Sequence, residues 1–158
     1  MKLEQAGEKF VFHLGDGEKE RLCEVLNLYP CVPSAHFTPT KKGGVPKSSQ
    51  KLLDEALQEQ RAENKRQVQA LLADPRHFTK EENGWRLAFS AAELEWLLQV
   101  LNDIRIGNWV LLGSPEQGED LDLALLDADT APHYWAMDIS GYFQTLFLMA
   151  LESGPRSQ

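Results

Sequence analysis

The chain has 158 residues, of which 42% are hydrophobic and 25% charged, and its formal net charge is −8. This length allows a buried core without disulfides or metal, and the composition excludes a wholly disordered chain. The acidic balance argues against direct nucleic-acid binding, which requires clustered lysine and arginine. We see no apolar leader and no apolar run long enough for a bilayer, so we expect a single cytoplasmic domain over residues 1–158 without membrane contact.

Two segments, residues 10–29 and 85–104, resemble each other at an offset of 75 residues. Six of twenty aligned positions are identical, and both segments change from strand-like apolar alternation to helical spacing. We therefore predict a strand–helix unit that occurs twice, over residues 9–30 and 84–113. Because an isolated strand leaves its backbone unpaired, we expect the two strands to form a small two-stranded antiparallel sheet.

The helix of the second unit has the clearer start signal. Ser90 and Glu93 are spaced as a capping box, in which each residue satisfies a backbone donor of the other. The helix is apolar on two sides, a pattern typical of a helix at the centre of its domain. We expect it to be the central helix.

Two further helices are predicted. One covers residues 49–73 and follows a basic loop, 31–48, that is rich in proline, glycine and lysine. The other covers residues 131–152 and follows an acidic loop, 114–130. The expected fold class is therefore mainly α within α+β, with about four helices and the two-stranded sheet.

The two cysteines, Cys23 and Cys31, are candidate redox residues. Cys23 has the repeat position of Leu98, so we expect it to face the core. A disulfide requires the chain beyond Pro30 to fold back, because helix positions 23 and 29 are already about 9 Å apart. A metal site with His36 would have only three ligands. A structural role, a redox switch and this metal site are the alternatives.

Three polar residues lie on the apolar helix of the second unit, namely Asn102, Asp103 and Arg105. They could cap or pair with neighbouring elements, because buried polar groups need partners. Alternatively, Arg105 could bind an anion in a pocket shared with Asp103 and Tyr142. No nucleophile–base pair, phosphate loop or metal motif accompanies them, so we expect no catalytic residue, no cofactor and no enzymatic activity.

The C-terminal half reads LNDIRIGNWVLLG over residues 101–113, then an acidic linker, then PHYWAMDISGYFQTLFLMAL over residues 132–151. This pattern resembles the AosR-like actinobacterial family, a domain of unknown function that ends in an L-N-D-[IL]-R helix, an acidic linker and an aromatic last helix. The matching aromatic residues here are Tyr134, Trp135 and Tyr142. The resemblance implies a mainly helical protein without known enzymatic activity. It also implies that the protein acts as a redox-responsive partner of the transcription machinery. In the family this role depends on a closely spaced cysteine pair near the N-terminus, whereas Cys23 and Cys31 are eight residues apart.

These observations lead to three hypotheses. The first is a non-enzymatic regulatory or adaptor protein that binds a partner protein, or a second copy of itself, through aromatic residues such as Trp135 and Tyr142. The second is a thiol-based redox sensor linked to transcription that uses Cys23 and Cys31. The third is a small anion-binding or enzyme-like domain around Arg105.

Overall fold

The computed structural model of the protein describes residues 2–31, 47–113 and 128–153. Nearly all of the predicted basic loop, 31–48, and of the predicted acidic loop, 114–130, lies outside the described residues. Both loops therefore stay predictions. The described ranges form four strands and four helices.

The described strands form one antiparallel sheet with the order β1-β2-β4-β3. Its strands are β1 (Lys2–Ala6), β2 (Lys9–Leu14), β3 (Phe78–Glu81) and β4 (Gly84–Ser90). The prediction of a two-stranded sheet is wrong. The expected pair, β2 with β4, is present and antiparallel, but it forms the centre of a larger sheet.

The two missed strands are the edge strands, and each lacks the signal that identified the central pair. Every side chain described in β1 is exposed, so neither face of this strand is buried. Its sequence therefore lacks the alternation of apolar and polar residues that identifies a half-buried strand. β3 has only four residues, and Phe78 is the one that is buried. Both are added by hairpins, through the turns at residues 7–8 and 82–83.

Glycine is required where the second hairpin meets the first unit. Gly84 has φ +154, and a Cβ atom there would lie 2.2 Å from the Leu14 carbonyl oxygen. An L side chain would be strained by the backbone angle and would also collide with the neighbouring strand. The close packing of β4 against the end of β2 therefore depends on this residue.

The four helices are α1 (Asp16–Leu26), α2 (Lys47–Ala73), α3 (Ala91–Leu111) and α4 (Ala131–Glu152). The predicted helices over 49–73 and 131–152 are confirmed to within two residues. The capping box of α3 is also confirmed, because Ser90 N donates to Glu93 Oε1 and Glu93 N donates to Ser90 Oγ. None of the helices in the described parts is long and apolar enough to cross a lipid bilayer.

The core lies between the sheet and the helices. Phe147 of α4 packs against the sheet, with its ring centre 5.2 Å from that of Phe12 and 6.1 Å from that of Phe89. α3 packs most extensively against α4 and also contacts α1 and β4, which agrees with its expected central place. His133 at the start of α4 bonds Asn108 near the end of α3, so these two helices run antiparallel.

Candidate functional site

The structure places both cysteines as free thiols that pack against the core. Cys23 faces the core as its repeat position predicted. Burial raises the pKa of both thiols, so the protonated form is favoured over the reactive thiolate. The Cys31 thiol donates to the Leu28 carbonyl oxygen at 2.9 Å. His36, the third member of the predicted metal site, lies outside the described residues.

A polar cluster lies beside Cys31 at the end of α3. Asn108 is only 4% exposed; its Nδ2 donates to the Ile104 carbonyl oxygen, and its Oδ1 accepts from His133 Nδ1 at 2.8 Å. Gly107 lets the Cys31 backbone approach, because a Cβ there would lie 1.9 Å from the Cys31 carbonyl oxygen. Sequence reasoning missed this cluster, although a polar residue within the apolar stripe of α3 is the signal that marks it.

The three polar residues predicted on α3 do not assemble into one site. Asn102 is half-buried, whereas Asp103 and Arg105 are exposed. Although Asp103 is exposed to solvent, partial desolvation of its carboxyl group raises its pKa, and the nearby Arg61 opposes that shift. Tyr142, the expected third member of the pocket, instead bonds Glu18 on α1. The structure does not bring the proposed anion pocket together.

The two predicted interface residues have different surroundings. Trp135 is half-buried and packs against the core. Tyr142 is 45% exposed, and its hydroxyl donates to Glu18 Oε2 at 2.7 Å. That bond raises the pKa of the Tyr142 phenol, with a smaller effect of burial. The hydrogen bond therefore fixes the Tyr142 side chain at the surface, whereas Trp135 contributes to the packing of the core.

Tyr142 belongs to an exposed face that follows α4. From Asp138 onward, the exposed residues of the helix recur mostly at spacings of three and four, which places them on one side of it. They are Asp138, Tyr142, Thr145, Leu148, Met149 and Glu152. Leu148 is 49% exposed and Met149 is 61% exposed. We call these six residues the α4 face; large apolar side chains grouped in this way are typical of an interaction surface.

Glu18 connects the α4 face to the first repeat unit. Its Oε1 accepts from the Gly15 backbone N–H at 3.3 Å, which caps α1, and its Oε2 accepts from Tyr142. One carboxylate therefore fixes the start of α1 and the orientation of the Tyr142 side chain. A surface residue that is held in this way loses less conformational freedom when a partner binds.

A cavity of about 450 Å³ lies between the end of α2 and the start of α3. His77 in its wall sits between two carboxylates, with its Nε2 bonded to Glu93 Oε2 and its Nδ1 3.5 Å from Asp74 Oδ2. The contact with Glu93 joins the segment before β3 to the capped end of α3, and the contact with Asp74 lies within the turn that follows α2. No serine, cysteine or threonine is among the lining residues, so the cavity offers no nucleophile for the histidine to activate.

In the described part of the chain, no group of three or more histidine, cysteine or acidic side chains is placed to hold a metal ion. No known protein family, curated protein or solved structure matches the chain. The resemblance to the AosR-like family therefore stays a prediction. The α4 face carries exposed apolar side chains, Leu148 and Met149, whose exposure packing within the described residues does not explain.

Proposed function

We propose that the protein is a non-enzymatic regulatory or adaptor protein of the cytoplasm, which acts by binding another protein through the α4 face. The supporting observation is the exposure of three large side chains, Tyr142, Leu148 and Met149, on one side of a helix whose other side is fully packed. Burial of such side chains by a partner removes apolar surface from water.

The composition of the α4 face fits protein recognition better than nucleic-acid recognition. Tyrosine and methionine are enriched at protein interfaces. Tyrosine supplies a rigid amphipathic ring, and methionine supplies a flexible apolar side chain that adapts to the partner. The two charged members of the face, Asp138 and Glu152, are both acidic. They would repel phosphate groups.

Both alternative functions have weaker support. A thiol sensor requires accessible thiolates, and burial raises the pKa of Cys23 and Cys31. An anion site requires several convergent donors, whereas Arg105 is exposed on α3 and the hydroxyl of Tyr142 on α4 donates to Glu18 of α1 instead.

Site-specific photo-cross-linking in the native host tests the proposal. A photoreactive residue at position 148 of the full chain should yield a discrete adduct with one identified protein, and Met149→Glu should abolish that adduct. The matched control is position 52, since Leu52 on α2 is an exposed leucine outside the α4 face. The same adducts from both positions, or no adduct from position 148, would contradict the proposal.

A further inference from the structure

The two ends of the α4 face carry a charge pattern that identifies the kind of partner, provided that the proposed function holds. Asp138 and Glu152 stand at opposite ends of the face, with the apolar side chains between them. Neither carboxylate forms an ion pair with a described residue. The separation of 14 positions in a helix corresponds to about 21 Å along its axis.

The helix itself strengthens the negative charge at one end. Glu152 is the last residue of α4, where the macrodipole of a helix places partial negative charge. A cation at this position would stabilise the helix, yet its last turn contains no basic residue. A lysine or arginine from a partner would supply the missing charge.

The same charges disfavour a second copy of the chain as the occupant. If two α4 faces packed antiparallel around Thr145, Asp138 would stand opposite the second copy's Glu152 at both ends. A parallel pairing would place Asp138 opposite Asp138. Both arrangements bring like charges together next to an apolar contact, which is unfavourable for association.

Two small residues lie among the larger side chains in the middle of the face. Gly141 and Thr145 are small, and a Cβ built at Gly141 would meet nothing within 4 Å. Tyr142 and Leu148 lie beside them and are larger. A low strip bounded by bulky side chains is the form of groove that accepts the ridge of a packed helix.

We propose that the α4 face binds an amphipathic helix of a partner protein whose apolar stripe has a basic residue at each end, about 14 residues apart. The apolar stripe covers Tyr142, Leu148 and Met149. The basic residues pair with Asp138 and Glu152. The partner is therefore recognised by one apolar contact and two separated charges.

Designed peptides test this inference with the full-length protein. The probe is a fluorescein-labelled alanine–leucine helix with lysine at both ends of its leucine stripe, and the comparison peptide has glutamate at those two positions. By fluorescence anisotropy we expect the basic-ended peptide to bind about tenfold or more tightly than the acidic-ended one at low salt. The difference should shrink at about 1 M salt, because exposed charges are then screened.

Charge reversal gives the decisive comparison. The double variant Asp138→Lys and Glu152→Lys should reverse the preference between the two peptides. The control is Glu55→Lys with Glu59→Lys, two exposed positions on α2 that produce the same change in net charge. This control variant should still prefer the basic-ended peptide, because only charges close to the bound peptide strongly affect its affinity.

Three results would overturn the inference. They are equal affinity for the two peptides, a preference that charge reversal does not change, and a dimer in sedimentation experiments that Leu148→Lys dissociates. If neither peptide binds but position 148 still yields its specific adduct in cells, the charge rule is wrong and the proposed function stands. If the adduct is missing as well, both proposals fail.

Discussion

Phe12 and Leu87 face each other across the two central strands, and each is the equivalent of the other in the sequence repeat. Residue 12 plus the offset of 75 gives residue 87, so at this one pair the antiparallel register sets repeat-equivalent residues opposite each other. A two-fold relation between the two units therefore passes through this pair. It includes the hairpins, because the turns at residues 7–8 and 82–83 also differ by 75.

The relation also includes the first turns of α1 and α3. Glu18 and Glu93 are equivalent, and each accepts from the backbone N–H of the residue that caps its helix, Gly15 and Ser90. The second oxygen of each carboxylate bonds a different element, namely Tyr142 of α4 and His77 before β3. Both repeat units therefore have the same carboxylate cap at the start of their helix. The second bond of the carboxylate differs, because it connects α1 to α4 and α3 to the segment before β3.

Truncation of Phe12, one member of the central pair, should strongly destabilise the protein. Phe12→Ala is expected to lower the free energy of unfolding by about 3–5 kcal/mol, because the side chain is fully buried and its loss leaves a cavity. Leu3→Ala is the control, since Leu3 pairs with Phe12 in the sheet but is 39% exposed. It should cost less than about 1 kcal/mol in the same urea titration. Equal losses for both variants would contradict the described packing.

Two glycines should respond in opposite directions to alanine. Gly84→Ala is expected to lower the unfolding free energy by at least about 2 kcal/mol, because φ is +154 and the new Cβ would meet the Leu14 carbonyl oxygen. Gly141→Ala should raise it by about 0.5–1 kcal/mol, because the position is helical and open. Thermal unfolding of both variants measures the difference. A stabilising Gly84→Ala would show that β4 does not approach β2 as described.

The sequence predicted the parts of the fold that carry a strong local period. Phe10, Phe12 and Leu14 alternate along β2, so the strand was recognised and its partner followed from the repeat. The edge strands could not be predicted in this way. β1 has no buried side chain among those described, and β3 has one, Phe78, so neither shows a period of two.

The sequence identified single residues of the candidate site but not the contacts between them. Tyr142 was identified as an interface residue from the composition of the last helix, but its bond to Glu18 joins positions 124 residues apart. The contact between Asn108 and His133 likewise depends on the antiparallel packing of α3 and α4. Such contacts follow from tertiary packing, which local spacing does not specify.

The pKa of Asp74 should depend on Arg76. The Arg76 guanidinium donates to both oxygens of Asp74, and the Arg76 backbone N–H donates as well. These bonds lower the pKa of the carboxyl from 3.8 to about 2. Arg76→Ala removes the larger contribution, so the pKa should move part of the way back toward 3.8. A carbon-13 NMR titration of the Asp74 carboxyl group measures the shift. Arg66→Ala, which removes a cation paired with Glu63, should leave it unchanged.

His13 on the outer face of the sheet connects both edge strands. Its Nδ1 lies 2.6 Å from Glu81 Oε1 on β3, and its Nε2 lies 3.1 Å from Glu4 Oε2 on β1. The hydrogen bond to Glu81, followed by that to Glu4, raises the pKa of His13 above 6.5. The protonated ring therefore favours the folded state, because it can donate to both carboxylates at once.

The stability that His13 contributes should consequently fall as the pH rises. A raised folded-state pKa gives a contribution that is fully present below the unfolded pKa of 6.5 and is lost as the pH passes through the folded value. In urea titrations between about pH 5.5 and about pH 8.5, the advantage of the wild type over His13→Ala should shrink as the pH increases. The double variant Glu4→Gln and Glu81→Gln keeps the ring but removes both charges, so it should lack this slope. A wild-type advantage that stayed constant or grew with pH would show that the charged imidazole does not hold the edge strands together.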